Sequence, residues 1–154
     1  MATDTERVLL KLSGDALKGS AGPLAADSMQ YVVRELQAAR EACAGIAVVL
    51  GGGNIMRGAE TGRSGLRRHQ VDQCGMMATV VNALALAEEM EGAGLDTTVM
   101  SAMSIPGIAR EFEVEEALGC LEDGSTVLLA GGTGNSYFTT DSAAALRATQ
   151  LDAD

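Results

Sequence analysis

The chain has 154 residues, 47% of them apolar and 3% aromatic, enough for one compact domain with a sizeable core. A formal charge of −10 argues against general binding to nucleic acid or an anionic membrane, since both need a basic field, so a phosphate ligand has to be gripped locally. The cysteines Cys43, Cys74 and Cys120 form no CxxC pair and His69 is the lone histidine, which disfavours a disulfide framework or structural metal and points to a reduced cytoplasm.

In chain order, the opening "MATDTERVLLKLSG" carries acids where a signal peptide has a basic, then apolar, stretch. A soluble, unexported protein is the expectation. Its apolar residues 7–13 predict a first strand, ended by the glycine-containing "KLSGDALKG". Residues 27–43 predict a helix with Asp27 and Ser28 as candidate caps and with Val32, Val33, Leu36 and Ala39 on one face. Residues 46–50, "IAVVL", predict a strand buried on both faces, followed by "GGGNIMRG". Arg57, Arg63, Arg67 and Arg68 then gather basic charge that the chain as a whole lacks.

Residues 72–94 predict a longer helix, ended by Gly92 and Gly94 and apolar almost all round over its first two-thirds, as in a buried helix or a subunit interface. Residues 97–102 and 125–130 predict two more strands, and 108–122 and 141–150 two shorter helices. Four parallel strands alternating with helices make a three-layer αβα sandwich, with ligands expected beyond the carboxyl ends of the strands.

Three glycine-rich stretches fall at such ends, the third being "GGTGNSYFTTD". Glycine there lets the backbone approach a ligand closely, so that successive N–H groups can cradle phosphate oxygens. Lys11 ends an apolar strand, where an ammonium either meets an anion or snorkels at a sheet edge. Arg57 is either a bidentate phosphate ligand or a solvated arginine. Thr139, Thr140 and Asp141 open a helix, where they either help to hold an anion at its positive end or simply cap it. Asp72 reads from its position as the N-cap of the long helix. Neither a Walker A loop nor a dinucleotide GxGxxG opening the first helix is present.

Taken together, "RVLLKLSGDAL", "VVLGGGNIMRG", "DQCGMMATVVNALAL" and "GGTGNSYFTTDSAAALRA" resemble, in order, the motifs of bacterial-type uridylate kinases of the amino-acid kinase family. The resemblance implies a cytoplasmic homohexamer that phosphorylates UMP to UDP with Mg2+ and ATP in pyrimidine synthesis, activated by GTP and inhibited by UTP. It implies that Lys11, Leu12, Ser13 and Gly14 meet the ATP phosphates, joined by Gly53 and Arg57. Lys11, Arg57 and Asp141 are the implied catalytic set, with Asp141 organising Lys11. Gly52 and Asp72 would meet UMP, Asp72 through the ribose hydroxyls, while Thr133, Gly134, Asn135, Ser136, Tyr137, Phe138, Thr139 and Thr140 wrap the uracil and phosphate.

Ser136, Tyr137 and Cys74 stand where the family usually has proline, phenylalanine and methionine. The resemblance makes the whole chain the N-terminal, UMP-binding portion of a single domain, without the adenine-holding portion that follows in the family. A shortened, non-catalytic UMP-binding or regulatory module is the alternative.

Overall fold

A computed structural model describes residues 7–56 and 65–154. Strand β1 (Arg7–Leu12) runs into a single 3₁₀ turn (Gly14–Leu17), then helix α1 (Ala26–Arg40) and strand β2 (Gly45–Leu50). Helix α2 (Arg68–Gly92) leads to β3 (Thr97–Ser101), the short β4 (Arg110–Glu111), helix α3 (Val114–Glu122), strand β5 (Thr126–Ala130) and helix α4 (Thr140–Leu151). The sheet order is β1-β2-β5-β3-β4, with every adjacent pair parallel.

The central strands explain the layering. All six residues of β2 and all five of β5 are buried, as their unbroken apolar sequences require of strands covered on both faces. Because side chains alternate along a strand, Ile46, Val48 and Leu50 meet α1 and α2 through Val32, Val33, Leu36, Leu86 and Met90. Ala47 and Val49 point the other way, into a second core with Ala117 and Leu121 of α3 and Ala143 and Leu151 of α4. The expected αβα sandwich is therefore present, with two cores separated by one sheet.

Four expectations are corrected. The sheet has five strands rather than four, because Arg110 and Glu111 pair with Met100 and Ser101. The same pairing shortens the helix predicted over 108–122 to 114–122: Gly107 turns the chain at φ +77° and residues 110–111 are extended. In α1, Asp27 and Ser28 lie inside the helix and do not cap it; Ala25 is the cap residue, and the Ser28 hydroxyl donates instead to Lys18 O at 2.8 Å. Helix α2 begins at Arg68, four residues before the predicted start, so Asp72 lies inside the helix and is no cap. Gln70 Oε1 accepts the Arg67 backbone N–H there at 3.3 Å.

The low amphipathicity of α2 has a simple geometric meaning. Val80, Ala83, Leu86 and Met90 face the core, while Met77, Val81 and Leu84 remain exposed on the outer side. With Ile55 and Met56 of the preceding segment, and with Cys74, Met77 and Val81 line a shallow outer groove whose walls are almost entirely apolar. Among the described residues no helix is long and apolar enough to cross a membrane.

Candidate functional site

The three glycine stretches converge at the carboxyl ends of β1, β2 and β5, where an open parallel sheet presents its ligand crevice. The first two interlock. Gly51 N–H donates to Leu12 O at 2.8 Å, and a Cβ added to Gly14 would stand 2.4 Å from Asn54 Oδ1, 2.9 Å from Gly53 N and 3.0 Å from Gly51 O. Gly52 lies flat against α2, its missing Cβ 2.8 Å from Gly75 O. Glycine is needed here for close approach of backbone to backbone.

After β5 the chain turns through Gly131, Gly132 and Gly134, all at positive φ. Thr79 of α2 accepts the Gly131 N–H at 2.7 Å and donates its own hydroxyl to Met76 O. The loop then folds back on the start of α2. Ser136 Oγ donates to His69 O at 3.3 Å, and Asp72 Oδ2 accepts the Tyr137 N–H at 2.8 Å. Tyr137 sits at φ +71°, a conformation unfavourable for a residue with a side chain, so this hydrogen bond holds local strain.

Arg68 Nε reaches both Asp72 oxygens, at 3.0 and 3.2 Å, and its guanidinium lies 5.7 Å from the Tyr137 ring. Above all, the Tyr137 N–H holds the Asp72 carboxyl below its ordinary value of 3.8; burial opposes this shift, and Arg68 adds to it. A carboxyl depressed by folding stabilises the native state above 3.8, and that contribution is lost as pH falls through the lower folded value. The gap in denaturation midpoint between wild type and Asp72→Ala should therefore narrow as the solution is taken from neutrality to well below 3.8. A gap that stays constant over that range would mean the carboxylate makes no charged contact with the loop.

A cleft of about 180 Å³ opens between these loops and α2. Of the residues proposed from sequence, Gly52, Gly53, Asp72, Thr133, Phe138 and Thr140 line it. Lys11 and Asp141 meet beside it, Lys11 Nζ standing 3.2 Å from Asp141 Oδ1. Thr139 caps α4, its hydroxyl accepting the Ser142 N–H at 3.2 Å, so Asp141 is not the cap and its carboxylate is left to the lysine.

Leu12, Ser13 and Gly14 form the interlocked turn behind the lysine. Ser13 Oγ is taken up locally as acceptor of the Asp15 N–H at 3.3 Å. Gly134 packs on Ala102 O, and Asn135 folds back on Thr133, so neither is among the residues that line the cleft. Ser136 and Tyr137 are spent on α2, as described, and Tyr137 and Phe138 are largely exposed. Arg57 and Arg63 lie outside the described residues.

Sequence reasoning missed Thr79, Met76 and Gly132 in the cleft wall. It also missed Asn82, which is fully buried in α2. A threonine and an asparagine inside the apolar run "MMATVVNALAL" were the available signal, because a polar side chain in a buried helix face needs a partner.

The model of the amino acid kinase family matches residues 6–154. The chain belongs to the amino acid kinase family. A uridylate kinase of Azorhizobium caulinodans is 48% identical over 149 residues, which are 96% of this chain and 63% of that protein. The chain thus spans a little under two thirds of the curated relatives' length. Among solved structures, UMP kinase from Ureaplasma parvum superposes with a TM-score of 0.92 at 30% identity, covering 98% of this chain and 64% of that one. UMP kinase from Bacillus anthracis gives 0.92 at 27% identity, covering 99% and 63%. The superpositions show that the chain shares its fold with these UMP kinases.

Proposed function

We propose that the chain takes UMP in the cleft and Mg2+-ATP by its phosphates beside Lys11, and transfers the γ-phosphoryl group to give UDP. The observation that carries this reading is convergence: one carboxylate, Asp72, faces the cleft between two glycine loops, and one ammonium, Lys11, is held at its border by Asp141. A carboxylate is a good paired acceptor for a ribose diol. An ammonium beside an acid is a positioned counter-charge for a phosphoryl group in flight.

The chemistry asks for no covalent enzyme intermediate. The acceptor phosphate and the donor γ-phosphoryl have to be held in line, with charge on the equatorial oxygens met by Lys11 and by backbone N–H groups of the glycine loops. Asp141 keeps Lys11 pointed at that spot, and Mg2+ enters as the counter-ion of ATP. The reading includes a cytoplasmic homohexamer with GTP as activator and UTP as inhibitor. The exposed apolar face of α2 supports self-association.

A second reading, UMP binding without transfer, is favoured by the lining of the cleft, which among the described residues holds Gly52, Asp72, Thr133, Phe138 and Thr140 of those expected at UMP and only Gly53 of those expected at ATP. Calorimetry on the 154-residue chain should find UMP bound more tightly than CMP or AMP, with Asp72→Ala weakening UMP by about 1–3 kcal/mol through loss of a charged hydrogen bond. Equal affinity for the three monophosphates would remove the uridylate assignment. UDP formation from UMP and Mg2+-ATP that Asp141→Asn abolishes supports the transferase; tight UMP binding with no UDP supports the second reading.

A further inference from the structure

We propose that Thr79 and Asn82 of α2, with Asn54 as the partner of Asn82, are positioning residues that fix the gap between the two glycine loops bounding the cleft. Three residues apart on one helix, Thr79 and Asn82 lie about 4.5 Å apart along its axis. Each grips a different loop. Thr79 Oγ1 accepts the N–H of Gly131, at the start of the third glycine stretch, at 2.7 Å. Asn82 Nδ2 donates to the carbonyl of Gly51, at the start of the second, at 2.7 Å.

The Asn82 grip is doubled by a reciprocal amide pair. Asn82 Nδ2 donates to Asn54 Oδ1 at 2.8 Å and Asn54 Nδ2 donates back to Asn82 Oδ1 at 3.0 Å. The remaining Asn54 proton goes to Pro23 O at 2.7 Å. All four amide protons are thereby used, and a backbone carbonyl, which can only accept, fixes the orientation of each amide. The pair sits beneath the interlocked turn, since Asn54 Oδ1 is the atom that Gly14 approaches most closely. One buried side chain of α2 thus holds the second loop, on whose Asn54 the first packs through Gly14, and its neighbour one turn away holds the third.

The helix supplies the rigidity such a gauge needs. Thr79 is 2% and Asn82 0% exposed, and Ala78, Val80, Ala83 and Leu86 of the same helix are buried with them. Positioning matters in phosphoryl transfer because a misplacement of about 1 Å can cost about 100-fold in rate. The consequence for UMP rests on the proposed function; the consequence for the loops does not.

Two variants remove one grip each: Asn54→Ala breaks the amide pair at its less buried member, and Thr79→Val removes the hydroxyl while keeping the shape. Thr79→Ser restores the hydroxyl. Leu121→Val, at the far end of β2 against Gly45, serves as a control for lost stability alone. Hydrogen exchange and UMP calorimetry are read on all four and on wild type.

Asn54→Ala should speed amide exchange in residues 51–56, and Thr79→Val in residues 131–134. Each should weaken UMP about tenfold, the scale of one lost hydrogen bond. Thr79→Ser and Leu121→Val should match wild type in loop exchange and in UMP affinity. Loops as protected in both variants as in wild type would overturn the proposal, as would a control that loosens them equally. If wild type itself binds no UMP, the functional reading fails, and loop exchange alone decides the positioning role.

Discussion

Gly14→Ala should lower the unfolding free energy by about 2–3 kcal/mol, the cost of forcing an extra methyl into a filled space. The added Cβ would stand 2.4 Å from Asn54 Oδ1 and 2.9 Å from Gly53 N. Neither neighbour yields cheaply. Asn54 is held by Asn82 and by Pro23 O, and Gly53 belongs to a loop whose next glycine inward is pressed on α2. Relief therefore requires the turn after β1 to lift away from the turn after β2, which widens the proposed phosphate cradle as well as costing stability. Urea denaturation with parallel UMP and Mg2+-ATP calorimetry measures both. A loss below about 0.5 kcal/mol, the usual size of a neutral surface change, would mean that the two turns are not interlocked.

Lys11→Ala separates charge from folding. In the structure Lys11 faces Asp141 at 3.2 Å, but the Asp141 side chain is 78% exposed, and such a solvated pair contributes at most about 1 kcal/mol. The thermal midpoint of the variant should stay close to wild type. On the proposed function, turnover should fall at least about 100-fold, the scale of removing one strong electrostatic contact to a developing charge. Mg2+-ATP affinity of the same samples reports on the lysine independently of turnover. An unchanged rate and affinity would return Lys11 to a lysine snorkelling at the sheet edge.

The parts legible in the sequence were those with a local cause. Unbroken "IAVVL" and "TVLLA" have the pattern of strands covered on both faces, and the stripe Val32, Val33, Leu36 predicted the buried side of α1. Strand β4 was illegible because Arg110 and Glu111 are exposed and only their pairing with β3 makes them a strand. The start of α2 was misread because Arg67, a residue with little capping preference, precedes it, while Asp72, a favoured capping residue, follows inside it.

Glycine loops at strand ends announced the edge of the sheet that carries the site. Asp72 and Asp141 looked like caps when judged alone, and their freedom from that duty emerges only where Tyr137 and Lys11 arrive from distant parts of the chain. The partners of Thr79 and Asn82, 52 and 31 residues away, could be read from no local pattern.

Met56 belongs both to the cleft and to the outer apolar groove beside α2. The short segment after β2 is therefore a partition with two wetted sides. A body seated in the groove leans on the rear of the same wall that the proposed nucleotide would meet from the front. Any stiffening transmitted through that wall is reciprocal: whatever factor the rear occupant adds to affinity in front, the front occupant returns to the rear.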